Sequence, residues 1–578
     1  MGEIYAEATR VLVWFGRSHP SWPYVEAAAN QVLAFLETKG ESWFLSRTAY
    51  DVDLAGISEY PFPKVVAEVL KFIADVRWFS RLWVVQEIAL AKDGQAQCGQ
   101  ISVEWKKIAA LVKLFTNMAW FTEMYTQHLD ELWSPAELAN GIVPTAFHNI
   151  NLMTVIITKG NAWIEEGNWY NSPRAGQDSF VHRLDGFFGT RSEEQALAAW
   201  TSYLLHAGAW FSCTVAEDYY YSSVGIAARL CESEHVLVEP NVGGPLIELY
   251  TQLAAKILST SRTVAFLAVN GDLARKSHDG IPSWVPDLTS KIEKPNPMSF
   301  NDLYLPGMFD ASKLTERDPA PRSIDVANGT LILVGACFDK ISSVTSYIAD
   351  ELMNQDDAAC IAELLEYLFS LPPNNSKGQS RVEILWRTLI FDCEVYFKNF
   401  ERVYKYPARD HCALDFRSWL LTKLALLITL SPNNDTRARV TNDLDKLARD
   451  GAAPDAIPAI AEVERYVRAD PEDSDWREKI TSGAREIRRM AGRLVTQRRL
   501  FVTKRYCVAG MGSLSLQPDD EVWMIRDSAA PLILRPVEPQ DGNKMVYKLV
   551  GETYIHGHMN GEMLEEGYGL NEKAVVLI

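Results

Sequence analysis

The stretch RRLFVTKRYCVAGMGSLSLQPDDEVWMIRDSAAPLILRP, Arg498 to Pro536, reads as β-structure. RRLFVTKRYCVAGM, DEVWMIRDS and PLILRPV are short runs of aliphatic, aromatic and β-branched residues, with Gly, Pro and Asp at the turns between them. KMVYKLVGETYIHG, from Lys544, continues the pattern. Strands expose unpaired backbone groups, so such a set folds only if it finds partners. The clearest strand elsewhere is TLILVGACF, Thr330 to Phe338, and it is the expected partner, with Asp339–Ser343 leading on to a helical region.

Upstream of this β module the patterning is helical. Residues 345–497 repeat apolar side chains at helical spacing, interrupted by polar joints such as PPNNSKGQS and SPNNDTRA. The first 270 residues are also largely helical, with expected helices at Trp22–Glu37, Lys64–Ala91 (one helix or two), Leu129–Ala139, Gln195–Ala207, Ser223–Cys231 and Pro245–Thr260. Another helix is expected from Ser102, with Ser102 as its N-cap. Glu3–Thr9 looks like the end of a helix, and VLVWFG after it reads as an early strand that must pair with later segments or stand at an edge. IPSWVPDLT, from Ile281, follows an Asp279–Gly280 turn, and its prolines break any helix. The expected organisation is a mostly helical region over 1–270, a connecting segment over 271–344, a helical region over 345–497 and a β module over 498–578.

With 578 residues, 47% hydrophobic and 11% aromatic, the chain has material for two or three packed domains. A formal charge of −18 argues against a general nucleic-acid binder, because backbone recognition needs concentrated Lys and Arg. The one basic run, REIRRMAGRLVTQR from Arg485 to Arg498, follows an acidic stretch and reads as a solvated helix face. The eight cysteines form no CxxC and no zinc-finger spacing, so buried thiols in a reducing, cytoplasmic setting are expected, with no metal site. Neither a signal peptide nor a membrane span is expected.

Four separated segments resemble the fungal heterokaryon-incompatibility (HET) family, in family order. They are IYAEATRVLVWFG (Ile4–Gly16), RWFSRLWVVQEIALA (Arg77–Ala91), IPSWVPDL (Ile281–Leu288) and the C-terminal β module through YKLVGETYIHGHMNGE. The resemblance implies a fold of α/β class in the broad α+β sense: a TIR-like α/β region at the N-terminus, a large helical middle and a small β module. That TIR-like region is read as incomplete, because the chain begins just inside the family's opening segment. Some TIR-like domains cleave NAD, and on this resemblance the part of the pocket that the opening strand would supply is expected to be missing. TVAEDYYYSSVGIAA, Thr214–Ala228, departs from the family's polar segment by losing its basic residue.

If Val76–Ala91 is helical, Trp83 and Glu87 are i,i+4 neighbours, with Gln86 close to the same face and Trp78, Leu82, Val85 and Ala89 opposite. A carboxylate beside an indole suits acid catalysis, and the WxxxE spacing resembles the TIR-like pattern. Glu87 equally suits a hydrogen-bonded anchor that fixes helix packing. Further pocket candidates are Arg81, Asp218, Tyr219, Tyr221, Trp284, His556 and His558. On a strand, His556 and His558 would share a face; the GH and NG pairs also suit a turn. No cofactor is expected. The leading functional expectation is a regulatory protein acting through protein contacts in incompatibility or cell death. A repurposed specialised-metabolism enzyme, a cyclase or pericyclase folding an apolar small molecule in an aromatic pocket, is the alternative; residual NAD glycohydrolase activity is third.

Overall fold

The computed structural model describes residues 2–32, 34, 62–117, 153, 192–208, 211–270, 272–273, 276–290, 309–313, 318–398, 401–538, 545–565 and 568–578. The architecture is α+β, with a large helical middle and a C-terminal multi-stranded sheet. The chain divides into two compact units. One comprises Met1–Asp185, Gly189–Leu249 and Tyr396–Val403, the other Gly186–Phe188, Tyr250–Val395 and Tyr404–Ile578.

The first unit opens with helix α1 (Gly2–Glu7) and strand β1 (Val11–Trp14). β1 pairs in parallel with β2 (Gly94–Cys98), which turns through Gly99 into antiparallel β3 (Ile101–Glu104). Gly99 has φ +63°, and a Cβ there would lie 2.6 Å from the Arg17 carbonyl, so only glycine fits the turn. β1 stands at the edge of this sheet, where the alternation of VLVW buries Val11 and Val13 and exposes Leu12 and Trp14. Between β1 and β2 come helix α2 (Trp22–Ala27) with a π turn to Val32, helix α3 (Phe62–Asp75), a 3₁₀ turn at Arg77–Ser80 and helix α4 (Val84–Ala89).

Two expectations fail in this region. Ser102 is not an N-cap: it lies on β3, accepting a hydrogen bond from Gln95 Nε2 at 3.0 Å, and helix α5 begins later and covers Trp105–Asn117. The polar GQAQC and ISVE lack the apolar runs that announce a strand. Nor is Val76–Ala91 one helix, because Arg81 is extended (φ −84°, ψ 136°) and bridges to Ser212. The rings of this stretch enter an aromatic core in which Phe15, Trp22, Phe72, Trp78, Phe79 and Trp105 meet at centroid distances of 5.0–6.4 Å. Helix α6 (Glu193–Gly208) is buried on nearly every side and packs on α7 (Asp218–Leu230), which also receives α4. The expected helix Leu129–Ala139 and most of Trp22–Glu37 beyond Val32 lie outside the described residues.

Helix α8 (Leu246–Thr260) leads into the second unit. There β4 (Ser323–Asp325) pairs with β5 (Thr330–Val344), which runs past Phe338, where the expected strand stopped. The polar end of β5 is stabilised by Asp339, whose carboxylate accepts the backbone N–H groups of Lys340, Arg505 and Tyr506 at 2.7–3.1 Å. Helices α9 (Ala349–Asn354), α10 (Ala358–Ser370) and α11 (Arg381–Leu389) follow. An unexpected hairpin of β6 (Glu394–Lys398) and β7 (Glu401–Lys405) interrupts the helical region. It is succeeded by α12 (Cys412–Leu430), α13 (Asn434–Arg449), α14 (Ile460–Arg468) and α15 (Ser474–Val495). Asp357, Ser380 and Asn433 cap α10, α11 and α13 through side-chain oxygens. Trp386, Trp419, Leu424 and Ile487 are among the residues that fill the shared core of the helices.

The remaining strands are β8 (Arg498–Thr503), β9 (Ala509–Ser513), β10 (Glu521–Ile525), β11 (Leu532–Val537), β12 (Val546–Glu552), β13 (Tyr554–Ile555) and β14 (Lys573–Leu577). β5 does bind the C-terminal strands. It pairs with β10, and the series β10–β11–β12–β14 returns to β5, closing a ring. Beyond Lys340, β5 turns to β8, from which β9 and β13 continue. At Gly335, where β5 crosses β10, an added Cβ would lie 2.6 Å from Ile525 Cδ1 and 2.7 Å from the Met524 carbonyl. Phe338, Phe501, Val522, Met524 and Ile533 are part of the apolar interior.

Candidate functional site

The break at Arg81 redistributes the polar groups of RWFSRLWVVQEIALA. Trp78 is not on a face opposite Glu87: its indole donates to Glu87 Oε2 at 3.3 Å. Trp83, one turn before Glu87, donates instead to Asp218 Oδ2 on α7 at 2.9 Å. Gln86 is buried and donates to the carbonyls of Ser222 (2.7 Å) and Tyr221 (3.4 Å). Tyr219 donates to the Phe211 carbonyl at 3.1 Å. Tyr5 of α1 lies in the field of Glu87 and Arg81; burial and then the Glu87 charge push its phenol up, while Arg81 opposes them. Six of the candidates, Trp83, Gln86, Glu87, Asp218, Tyr219 and Tyr221, are thus gathered along α4 and α7, with Arg81 exposed just before α4. Among the described residues, Gln86 Oε1, Tyr221 Oη and Ser222 Oγ are buried here without a hydrogen-bond partner.

The other candidates, Trp284, His556 and His558, belong to the second unit. Trp284 is fully buried and donates to the Gly329 carbonyl at 2.8 Å. Three residues on, Asp287 accepts from Ser277 N, Thr289 N and Thr289 Oγ1 at 2.6–3.0 Å. Burial raises the Asp287 carboxyl, but these bonds and His278 outweigh it and leave it below its ordinary value. IPSWVPDL is therefore a self-capped anchor.

His556 and His558 do not lie together on a strand. β13 ends at Ile555, and Gly557 (φ +76°) turns the chain between the two rings. His556 contacts Gln379 Oε1 (2.9 Å) and Tyr554 Oη (3.2 Å), while His558 contacts the His556 carbonyl (2.9 Å) and Tyr568 Oη (2.6 Å). All four ring nitrogens are engaged. Burial, reinforced by the Arg387, His558 and Lys377 charges, brings His556 down to about 3.

A denser constellation went unnoticed in the sequence. It is built from Asp392-Cys393-Glu394 and Arg409-Asp410-His411-Cys412, which flank the β6–β7 hairpin. Phe391 and Asp392 both have positive φ (53° and 52°), a strained pairing for two non-glycine residues. The Arg387 guanidinium bonds to Asp392 (2.5 Å), Glu383 (2.8 Å), Asp410 (2.9 Å) and the Ala408 carbonyl (2.9 Å). Burial raises the Asp392 carboxyl against the opposing pull of Arg387. Beside it, Arg409 grips both oxygens of buried Glu394, and His411 Nε2 lies 3.4 Å from Glu394 Oε1 and 4.0 Å from Cys412 Sγ. Glu394, His411 and Cys412 each offer one metal-ligating atom, and the three atoms lie within 4.8 Å of one another. The visible signal was the crowding of acid, thiol, imidazole and guanidinium into DCE and RDHC; their mutual approach was not visible.

Residues 470–568 match the family model of the Het-6 beta-barrel domain. The match covers α15 and β8–β13, whereas β5 and β14, which close the ring, lie outside it. It is consistent with distant kinship to HET-family proteins through this domain, and does not extend to a HET domain in the N-terminal half. No curated protein matches the chain, and no solved structure does. Among the described residues, no helix is long and apolar enough to cross a membrane.

Proposed function

We propose that this chain is a HET-family-like regulatory protein of the fungal cytoplasm, working through protein contacts in incompatibility or cell death, without NAD glycohydrolase activity. The observation that carries this reading is the internal commitment of the groups best suited to chemistry. Glu87 holds Trp78, Asp218 holds Trp83, and both His556 and His558 are bonded through each ring nitrogen. Such groups fix packing, and a side chain that must move protons at a substrate needs at least one free face. The barrel match supports the family side of the reading. Exposed Leu12 and Trp14 on edge strand β1 support contact with a partner protein. The enzyme reading, with an apolar small-molecule substrate, ranks second because the aromatic rings of the first unit pack on one another, as in a core rather than a pocket wall.

Induced expression in a fungal host tests the proposal directly. Growth arrest that persists in Glu87→Gln, with no nicotinamide released from NAD by the purified protein, is the expected result. Unimpaired growth at high expression would sink the regulatory reading. Nicotinamide release abolished by Glu87→Gln would replace it with the glycohydrolase.

A further inference from the structure

We propose that Glu394, His411 and Cys412 form a binding site for one divalent transition-metal ion, with zinc the ion that best suits the donors. This goes beyond the regulatory reading and does not depend on it. The three donors come from the start of β6 and the start of α12, so the site is assembled by the fold across the hairpin. The measured separations are 3.4 Å for the nitrogen–oxygen pair and 4.0 Å for the sulfur–nitrogen pair. Metal bonds of about 2.0–2.3 Å in a tetrahedron place neighbouring ligand atoms roughly 3.4–3.7 Å apart. The nitrogen–oxygen pair is already at that spacing, the sulfur–nitrogen pair has a few tenths of an ångström to close, and the oxygen–sulfur pair, within 4.8 Å, has up to about 1 Å to close. A thiolate, an imidazole and a carboxylate suit zinc, whereas calcium and magnesium favour oxygen alone.

The surroundings fit a three-ligand site with an open position. His411 is half exposed, which gives an ion a route in from solvent, while Glu394 and Cys412 are buried. Arg409 holds Glu394 through both oxygens, Nε to Oε2 at 2.5 Å and Nη2 to Oε1, so Oε1 has to exchange the Nη2 bond for the ion while Nε keeps Oε2. A hydrogen-bonded outer partner of this kind is usual for a ligating carboxylate. Met490 Sδ lies 4.0 Å from Cys412 Sγ on the buried side. On coordination the S–H bond breaks, the sulfur–metal bond forms from the same electron pair, and the proton leaves to bulk water.

The full chain, stripped with a chelator, is titrated with zinc against a chromophoric competitor and separately with cobalt(II). One ion per chain is expected, with a thiolate-to-cobalt charge-transfer band that disappears in Cys412→Ser. His411→Ala, at a half-exposed position and checked for folding by circular dichroism, should weaken zinc by tenfold or more. His235→Ala, an exposed control, should leave the affinity unchanged. Absence of stoichiometric binding, a cobalt complex without the thiolate band, or zinc affinity unmoved by His411→Ala would each overturn the site.

Discussion

His556 carries the sharpest consequence of burial in this molecule. Its ring is held between Gln379 and Tyr554, and its pKa falls from 6.5 to about 3. Between those values the unfolded chain takes up a proton that the native site refuses. The contribution is therefore complete above about pH 6.5 and declines as pH falls toward 3, by up to about 1.4 kcal/mol per pH unit. In urea unfolding as a function of pH, His556→Gln should flatten that slope; an unchanged slope would show that the proton uptake belongs elsewhere. At this scale the sequence was informative about composition and silent about pairing. WxxxE put Trp83 and Glu87 side by side, yet their indole and carboxylate have different partners, and that of Trp83 is Asp218, far along the chain. No local pattern records such a distance. The Glu394–His411–Cys412 group was hidden for the same reason: its parts lie on either side of the EVYFK and ERVYK strands, and no local pattern records their approach.

Among the elements, legibility followed hydrophobic contrast. Helices α6, α7 and α8 lie within a few residues of their expected positions, apart from an N-terminal extension of α7 through the three tyrosines. The C-terminal strands and their use of β5 were also foreseeable, because each is a compact apolar run bounded by turn residues. Polar strands such as β2 and β3 were missed, and so was the end of β5, where Asp339 takes up backbone donors in place of apolar burial. Gly335 was read as one residue of a strand, with no hint that β10 passes so close to it. Gly335→Val forces a side chain against Ile525 and the Met524 carbonyl, and should cost about 1–3 kcal/mol. Chemical denaturation of the full chain measures this; a variant as stable as the parent would mean that the strands part without penalty.

For the whole molecule, the charge of −18 sets an expectation about partners. The basic run at Arg485–Arg498 offers little relief. Arg485 pairs with Glu478, Arg489 with Glu486, and Arg498 is buried. A fluorescent DNA duplex at low salt should therefore remain unbound at micromolar protein, and binding that weakens steeply with salt would contradict this. The sequence reading divided the chain at 270, 344 and 497, and the first boundary between the two compact units falls at Leu249–Tyr250. A linker rich in glycine or proline would have marked the boundary, but helix α8 runs from one side of it to the other.

Strand β5 also sets a timetable for biosynthesis. It is complete at Val344, and apart from β4 the strands that flank it begin at Arg498 and finish at Leu577, with the helices α9–α15 translated in between. At roughly 5–20 residues per second, the wait is on the order of ten seconds or more. Throughout it, an apolar ribbon paired only with the three residues of β4 stands outside the ribosome. β14 is the last of these strands to be made, so a chain interrupted before Lys573 would leave the Leu331–Gly335 edge of β5 open.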